Sequence, residues 1–354
     1  MPVKILFIPV SSKKGIGEYM RSLILAEAIK QEWPAAEIHF ALSKEAPYSS
    51  TCPYKTILTE RSPTHHVKEI NQYIEEFKPD VVIFDASGRS MQLAKAKEMG
   101  ALTVFIAQHD KKIRKGMRIS RLKNTDLFWI AQPEFTVKKL SKIDTLKLNL
   151  LNKDIPIFLG CLFSMPNEQQ EKDILSKYQL QSKNYIFVSA GSGGHYLANG
   201  SSAAEGFNRA VRLLELPYVQ VWGANYQGEK RLPDGSNLNL SSISNIEFIC
   251  LLKNSKVALI NGGDTLLQCI SLKIPFLSVP VSADQPQRIQ KALRKSPCFL
   301  AAEAKIEDIQ AKLKILVDDQ VQQQLILKMA SIEVNNGYYE SVKSLKKFHN
   351  TRTH

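Results

Sequence analysis

The chain has 354 residues, too many for one ordinary domain and suited to two of roughly 150–200 residues each. Its 44% hydrophobic and 23% charged residues exclude a disordered chain, and no apolar run approaches the ~18–20 residues that cross a bilayer. The formal net charge of +13 favours anionic partners, either nucleic acid, anionic lipid or phosphorylated small molecules.

Five scattered cysteines (Cys52, Cys161, Cys250, Cys269, Cys298) form no CxxC pair, which argues against a disulfide framework or a zinc site and for a reducing cytoplasm. Zinc-finger spacing, RNP-type aromatics and basic–aromatic interleaving are missing from the sequence, so nucleic acid is not an expected partner.

In chain order, the apolar run at 4–10 reads as a buried parallel strand rather than a signal peptide, and a helix follows over 17–31. Strands are expected at 38–42, 80–85 and 102–107, with a helix over 66–77. The pattern then restarts with strands at 185–189, 219–222, 246–249, 257–260 and 275–279 and a helix over 264–273. Alternating strands and helices predict βαβ units in two doubly wound α/β domains. The expected division is an N-terminal domain at 1–160, a second at 161–337 and a helical tail at 338–354.

Domains of this kind bind ligands in the loops after their strands. Asn261-Gly262-Gly263-Asp264-Thr265 follows one strand and opens a helix. The two glycines let backbone N–H groups approach an anion, the helix adds its dipole, and Thr265 offers a hydroxyl. Gln268, one turn on, is within reach of a ribose; the plain alternative is a tight turn with an Asp or Thr cap. Gly191-Ser192-Gly193-Gly194 follows another strand and either cradles a phosphate or is a flexible turn. In the first half, Gly15-Ile16-Gly17-Glu18 begins a helix, and Glu18 is a candidate general base or an ordinary first-turn acid. His109, in Gln108-His109-Asp110 after the 102–107 strand, is a candidate acid, base or hydrogen-bond donor, or a surface histidine. Residues 111–123 hold seven basic and no acidic residues, with Ile113, Met117, Ile119 and Leu122 interspersed. They read as a solvated basic face or as an amphipathic stretch that meets anionic headgroups or an anionic acceptor.

These loops resemble those of the GT-B glycosyltransferases of family 28, most closely at residues 246–292 and 12–28. The resemblance implies two Rossmann-like domains facing a central cleft, the acceptor on the first and a nucleotide sugar on the second. Phe248-Ile249 is similar to the family pair whose backbone meets the base. Gly191, Ser192 and Gly193 are similar to its Gly-Gly-Ser-x-Gly loop, and Gly262 to Gln268 to its Gly-x-x-Thr-x-x-Glu signature. Asp284, Gln285 and Gln287 fall where the family contacts the donor sugar, and His109 where it has an acceptor-side loop. Gly17-Glu18 resembles the family's first glycine loop, but Glu18 replaces a His, and Gln268 replaces the ribose-binding Glu.

The implied activity is inverting transfer of a sugar from a nucleoside-diphosphate donor, uridine-based, to a cell-surface glycan or glycolipid such as lipopolysaccharide. The nucleotide sugar is a substrate; no cofactor or metal is implied, and no Asp-x-Asp motif is present. Two alternatives stand beside it, a sugar-nucleotide hydrolase or epimerase and a degenerate nucleotide-sugar-binding subunit. The expected location is cytoplasmic, with peripheral contact at the anionic inner face of a membrane.

Overall fold

The computed structural model describes residues 2–11, 16–197, 199–229, 235, 237–241, 243–295 and 297–352. The chain forms two compact units, Met1–Leu162 with Asn335–His354, and Phe163–Val334. Residues 335–354, read from sequence as part of the second domain and a tail, thus belong to the first unit.

Unit 1 is built on seven parallel strands: β1 (Lys4–Pro9), β2 (Glu37–Ser43), β3 (Lys55–Thr59), β4 (Val81–Asp85), β5 (Leu102–Ala107), β6 (Leu127–Ile130) and β7 (Ile157–Phe158). Their order is β3-β2-β1-β4-β5-β6-β7. Successive side chains of a strand point to opposite faces, and here both faces are covered. Ile5 and Phe7 join Phe40, Ile83, Val104 and Trp129 on one side, with the helix Gly17–Glu32 packed over them. Leu6 and Ile8 join Val82, Phe84 and Phe105 on the other, under the helix Val67–Phe77. That burial on two faces is why these strands read as continuous apolar runs.

The helix Tyr338–Arg352 completes unit 1, setting Tyr338 and Val342 against Ile24 and Ala28. Just before it the returning chain lies against residues 159–161. The Cys161 amide donates to the Asn335 carbonyl (3.0 Å), and the Gly337 amide to the Cys161 carbonyl (2.8 Å). Gly160 has φ +72°, and a Cβ there would sit 2.2 Å from the Asn335 oxygen, so the approach needs glycine for two reasons.

Unit 2 has six parallel strands: β8 (Ile186–Ser189), β9 (Tyr218–Val221), β10 (Leu238–Leu240), β11 (Val257–Asn261), β12 (Phe276–Val279) and β13 (Leu300–Ala301), in the order β10-β9-β8-β11-β12-β13. The segment expected as a strand at 246–249 is instead part of a helix, Asn245–Lys253. Ser244 caps it: its hydroxyl accepts the Glu247 amide, and the Glu247 carboxylate accepts the Ser244 amide. This reciprocal box starts a helix whatever the apolar run behind it suggests.

The basic stretch also differs from the amphipathic reading. It folds as two short helices, Asp110–Gly116 and Ile119–Leu122. Ile113, Met117 and Leu122 are buried in the core of unit 1, and of the four interspersed apolar residues only Ile119 is exposed. No helix among the described residues is long and apolar enough to cross a membrane.

Candidate functional site

In each unit the strand order reverses around the first strand. β1 lies between β2 and β4, and β8 lies between β9 and β11. The loops leaving the carboxyl ends of such paired central strands diverge and open a crevice, the usual ligand site of open α/β sheets.

In unit 2 that crevice is bounded by the loop after β8 and the loop after β11. Asn261, the last residue of β11, ties them together. Its Nδ2 donates to the Ala190 carbonyl (3.1 Å), and its Oδ1 accepts the Gly263 amide (3.1 Å). Gly191 has φ +89°, and a Cβ there would lie 2.5 Å from Asn261 Nδ2, so the contact requires glycine. Ser192 is half-buried, and its carbonyl accepts the Asn225 amide (2.7 Å), which joins the loop after β9 to the same assembly. Gly193 lies buried against Trp222 and Tyr226 of that loop.

The helix Thr265–Leu272 starts directly behind this knot, with Asp264 and Thr265 half-buried at its beginning. Gln268 is only 8% exposed, and its Oε1 is buried with no donor among the described residues. Buried polar atoms are nearly always partnered, and Gln268 Oε1 is one of several among the described residues that are not, Ser22 Oγ, Trp129 Nε1 and Ser278 Oγ being others. Beyond β12, Arg288 sits 3.5 Å from both Asp264 and Asp284. Burial lowers the proton affinity of His195, with Asp284 pulling the other way.

Several expected contacts are placed differently. Phe248 and Ile249 are helical: the Phe248 amide donates to the Ser244 carbonyl (2.9 Å), its ring packs edge-on against Phe187, and Ile249 is buried. Their backbone is spent within a helix and does not present the edge a base would read. Gln285 is buried, and its Oε1 accepts the amides of Gly262 (3.1 Å) and Val281 (2.8 Å), so it braces two loops rather than projecting towards a sugar. Asp284 and Gln287 are exposed. Gly262 is held under Ile289 and Gln285, where a Cβ would come within 2.8 Å of the Ile289 side chain.

In unit 1 the corresponding edge carries a charged cluster that sequence reading only touched. Glu18 is half-buried in the first turn of Gly17–Glu32. One turn later Arg21 makes a two-pronged bond to Asp85 at the end of β4, Nε–Oδ2 2.8 Å and Nη2–Oδ1 2.7 Å, and Nη2 also donates to Gln108 (2.5 Å). Burial pushes the Asp85 carboxyl up to about 6; Arg21 opposes the shift and nearby Glu18 adds to it. Lys112 is half-buried, donates to the Ala86 carbonyl (2.6 Å) and feels both Glu18 and Asp85, while its burial lowers its proton affinity. The i,i+3 spacing of Glu18 and Arg21 was the available signal; the terminal Asp of the 80–85 strand was its partner. His109 sits at the N-terminus of Asp110–Gly116, half-buried, with its carbonyl accepting the Lys112 amide (2.8 Å). Nothing crowds Gly17, where a Cβ would meet no atom within 4 Å, and Gly15 lies outside the described residues.

No family model and no curated protein matches this sequence. Solved structures do match in three dimensions. The spinosyn forosaminyltransferase SpnP aligns over 98% of this chain and 99% of its own, with a TM-score of 0.63 at 14% identity. The fold is GT-B. UGT71G1 of Medicago truncatula, solved with UDP-glucose, aligns over 98% of both chains (TM-score 0.57, 13% identity). A Listeria monocytogenes protein described as a UDP-N-acetylglucosamine 2-epimerase aligns over 99% of this chain and 97% of its own (TM-score 0.59, 13% identity). At such identities the GT-B likeness concerns the fold, and it does not single out family 28.

Proposed function

We propose that the protein is a glycosyltransferase that takes a nucleoside-diphosphate sugar, uridine-based, on unit 2. The observation that carries this reading is the Asn261 knot, which holds two glycine loops and a helix N-terminus together at the β8/β11 switch point. The dipole of the helix Thr265–Leu272 in that position suits a diphosphate, in the ground state and as it leaves, while the Gly262 and Gly263 amides are engaged by Gln285 and Asn261 and shape the loop around it. Thr265 and the unpartnered Gln268 suit the adjoining hydroxyls.

In this reading Glu18 of unit 1 accepts the proton of an acceptor hydroxyl, with His109 as the other candidate. The hydroxyl oxygen attacks the anomeric carbon, the bond from that carbon to the diphosphate breaks, and the nucleoside diphosphate departs with inversion. The acceptor class is a cell-surface glycan or glycolipid, no metal is assigned a role, and any contact with an anionic membrane falls to basic side chains. The likeness to a protein described as an epimerase favours a second reading, turnover of the donor without an acceptor.

Thermal melting with UDP, CDP, GDP, dTDP and UDP-sugars tests the donor site. A selective rise with UDP, lost in Thr265→Val and Gln268→Ala, is expected; no rise with any nucleotide sinks it. Glu18→Gln is expected to keep UDP binding and lose about 10²–10⁴-fold in turnover. Full turnover in that variant removes Glu18 from its role, and product from donor and water alone selects the second reading.

A further inference from the structure

The loop after β4, at the switch point of unit 1, is surrounded by cations positioned by neutral groups. Arg121 Nε donates to the Gly88 carbonyl (3.0 Å) and its Nη1 to the Lys115 carbonyl (3.2 Å). Lys112 is held by the Ala86 carbonyl, and Arg89 Nε donates to the Thr64 carbonyl (3.0 Å). Among the described residues, Arg89, Lys115, Arg118 and Arg121 have no ion pair with a carboxylate, and Arg121 Nη2 has no partner. Other cations of the unit are neutralised: Arg21 by Asp85, and Lys97 and Lys153 by Asp126.

The crowding has a cost. Burial lowers the proton affinity of Arg121, and Arg118 and Arg89 lower it further. Lys115 and Arg121 act on Lys112 in the same sense. Carbonyls fix the direction of Arg121, Lys112 and Arg89 without neutralising them. A half-buried guanidinium with a free edge, among like charges, is the arrangement that bidentate phosphate recognition uses. Arg121 and Lys112 bond the loop and Arg89 belongs to it, Lys115 and Arg118 act on Lys112 and Arg121 respectively, and Glu18 and the committed Asp85 are the carboxylates that act on Lys112; this excess of positive charge suits a doubly charged anion better than a single carboxylate.

From this we infer that Arg121, Lys112 and Lys115, with Arg89 and Arg118, form a binding site for a phosphate or diphosphate group on unit 1. The anion site stands on the placement of Arg121, Lys112 and Arg89 at this loop, independently of the transferase reading. Its assignment to a phosphorylated acceptor rests on the transferase reading, because Lys112 connects it to Glu18. The phosphate belongs either to a soluble phosphorylated sugar or to a lipid.

Calorimetric titration of the full chain with inorganic pyrophosphate, in saturating UDP, tests the site. Pyrophosphate is expected to bind, and Arg121→Met and Arg118→Glu each to weaken it about tenfold while UDP affinity is unchanged. Arg118 is exposed, so its replacement leaves the core intact even if Arg121→Met does not fold. Absence of pyrophosphate binding, or variants that bind it like the parent, overturns the site. Co-sedimentation with phosphatidylcholine vesicles, with and without phosphatidic acid, identifies the source. Retention on phosphatidic acid that pyrophosphate competes away marks a lipid phosphate; pyrophosphate binding without retention marks a soluble one. Retention without pyrophosphate binding means a diffuse electrostatic surface and rejects the site. Failure of UDP to bind rejects the donor reading instead, and the variant comparison with pyrophosphate still decides this one.

Discussion

Asn261 is the residue on which most of the unit 2 crevice depends. Its side-chain amide bonds both glycine loops, and Gly191 leaves just enough room for it. Asn261→Ala strands the Ala190 carbonyl and the Gly263 amide together, at about 1–3 kcal/mol for buried groups left unpartnered. The expected result is a lower melting temperature and UDP affinity reduced about tenfold or more, measured by calorimetry. Asn261→Asp retains the acceptor for Gly263 but cannot donate to Ala190 when ionised, and it places a charge beside a proposed diphosphate. It is expected to bind UDP more weakly than the Ala variant and to bind uridine nearly as well as that variant does. Equal UDP affinity in all three proteins would show that the loops hold their positions without the bridge.

At the scale of elements, the strands buried on both faces were legible because most of their residues are apolar, with polar residues such as Lys4, Asp85 and Asn261 at their ends. The runs at 4–10, 102–107 and 257–260 correspond to β1, β5 and β11 within a residue or so. The edges were not legible. β10 is Leu-Asn-Leu, β7 and β13 are two residues each, and β3 is a five-residue edge strand only partly buried; short edge strands carry too little apolar signal to be read. The run at 246–249 misled for the opposite reason. It is apolar enough for a strand, but the capping box before it was the stronger signal. For the site, the glycine loops and the helix start were readable from spacing. Asn261, Gln285 and the Arg21–Asp85 pair were not, because their roles come from side chains reaching across loops far apart in sequence. The capping box also carries a pH dependence. Burial works to raise the Glu247 carboxyl, and Lys177, the Ser244 amide and hydroxyl, and the Tyr178 hydroxyl outweigh it and hold it down at about 2, against an ordinary 4.5. A carboxyl depressed in the folded state stabilises above its ordinary value and loses that contribution as pH falls towards the folded one. Thermal melts from about pH 5 down to about pH 3 should therefore fall less steeply for Glu247→Gln than for the parent. Ser244→Ala should cost about 1 kcal/mol at neutral pH. Parallel curves for Glu247→Gln and parent would show that the carboxylate is not held this way.

For the whole molecule, the chain leaves unit 1 after Leu162, builds unit 2, and returns at Asn335 to finish unit 1. Unit 1 is thus made of two pieces of sequence, while unit 2 is one continuous piece. The returning piece is integral to its core: Tyr338, Val342 and Leu345 are at most 8% exposed, Leu345 within the core cluster of Phe7 and Trp129. Burial of such side chains is worth about 1.5–3 kcal/mol each, an upper range because the unfolded chain already hides part of them. A chain ending at Val334 also loses the Asn335 carbonyl that receives the Cys161 amide. Two units with separate cores are not expected to melt as one two-state system, so calorimetry can follow each. Truncation at Val334 should lower the transition of unit 1 by well over ten degrees or abolish it, since a loss of several kcal/mol shifts a domain of this size by about 2–4 °C per kcal/mol. The transition of unit 2, identified as the one that UDP raises, should persist. If truncation instead removed the UDP-sensitive transition and spared the other, the nucleotide site would have to be moved out of unit 2, and the Asn261 knot would lose its assignment with it.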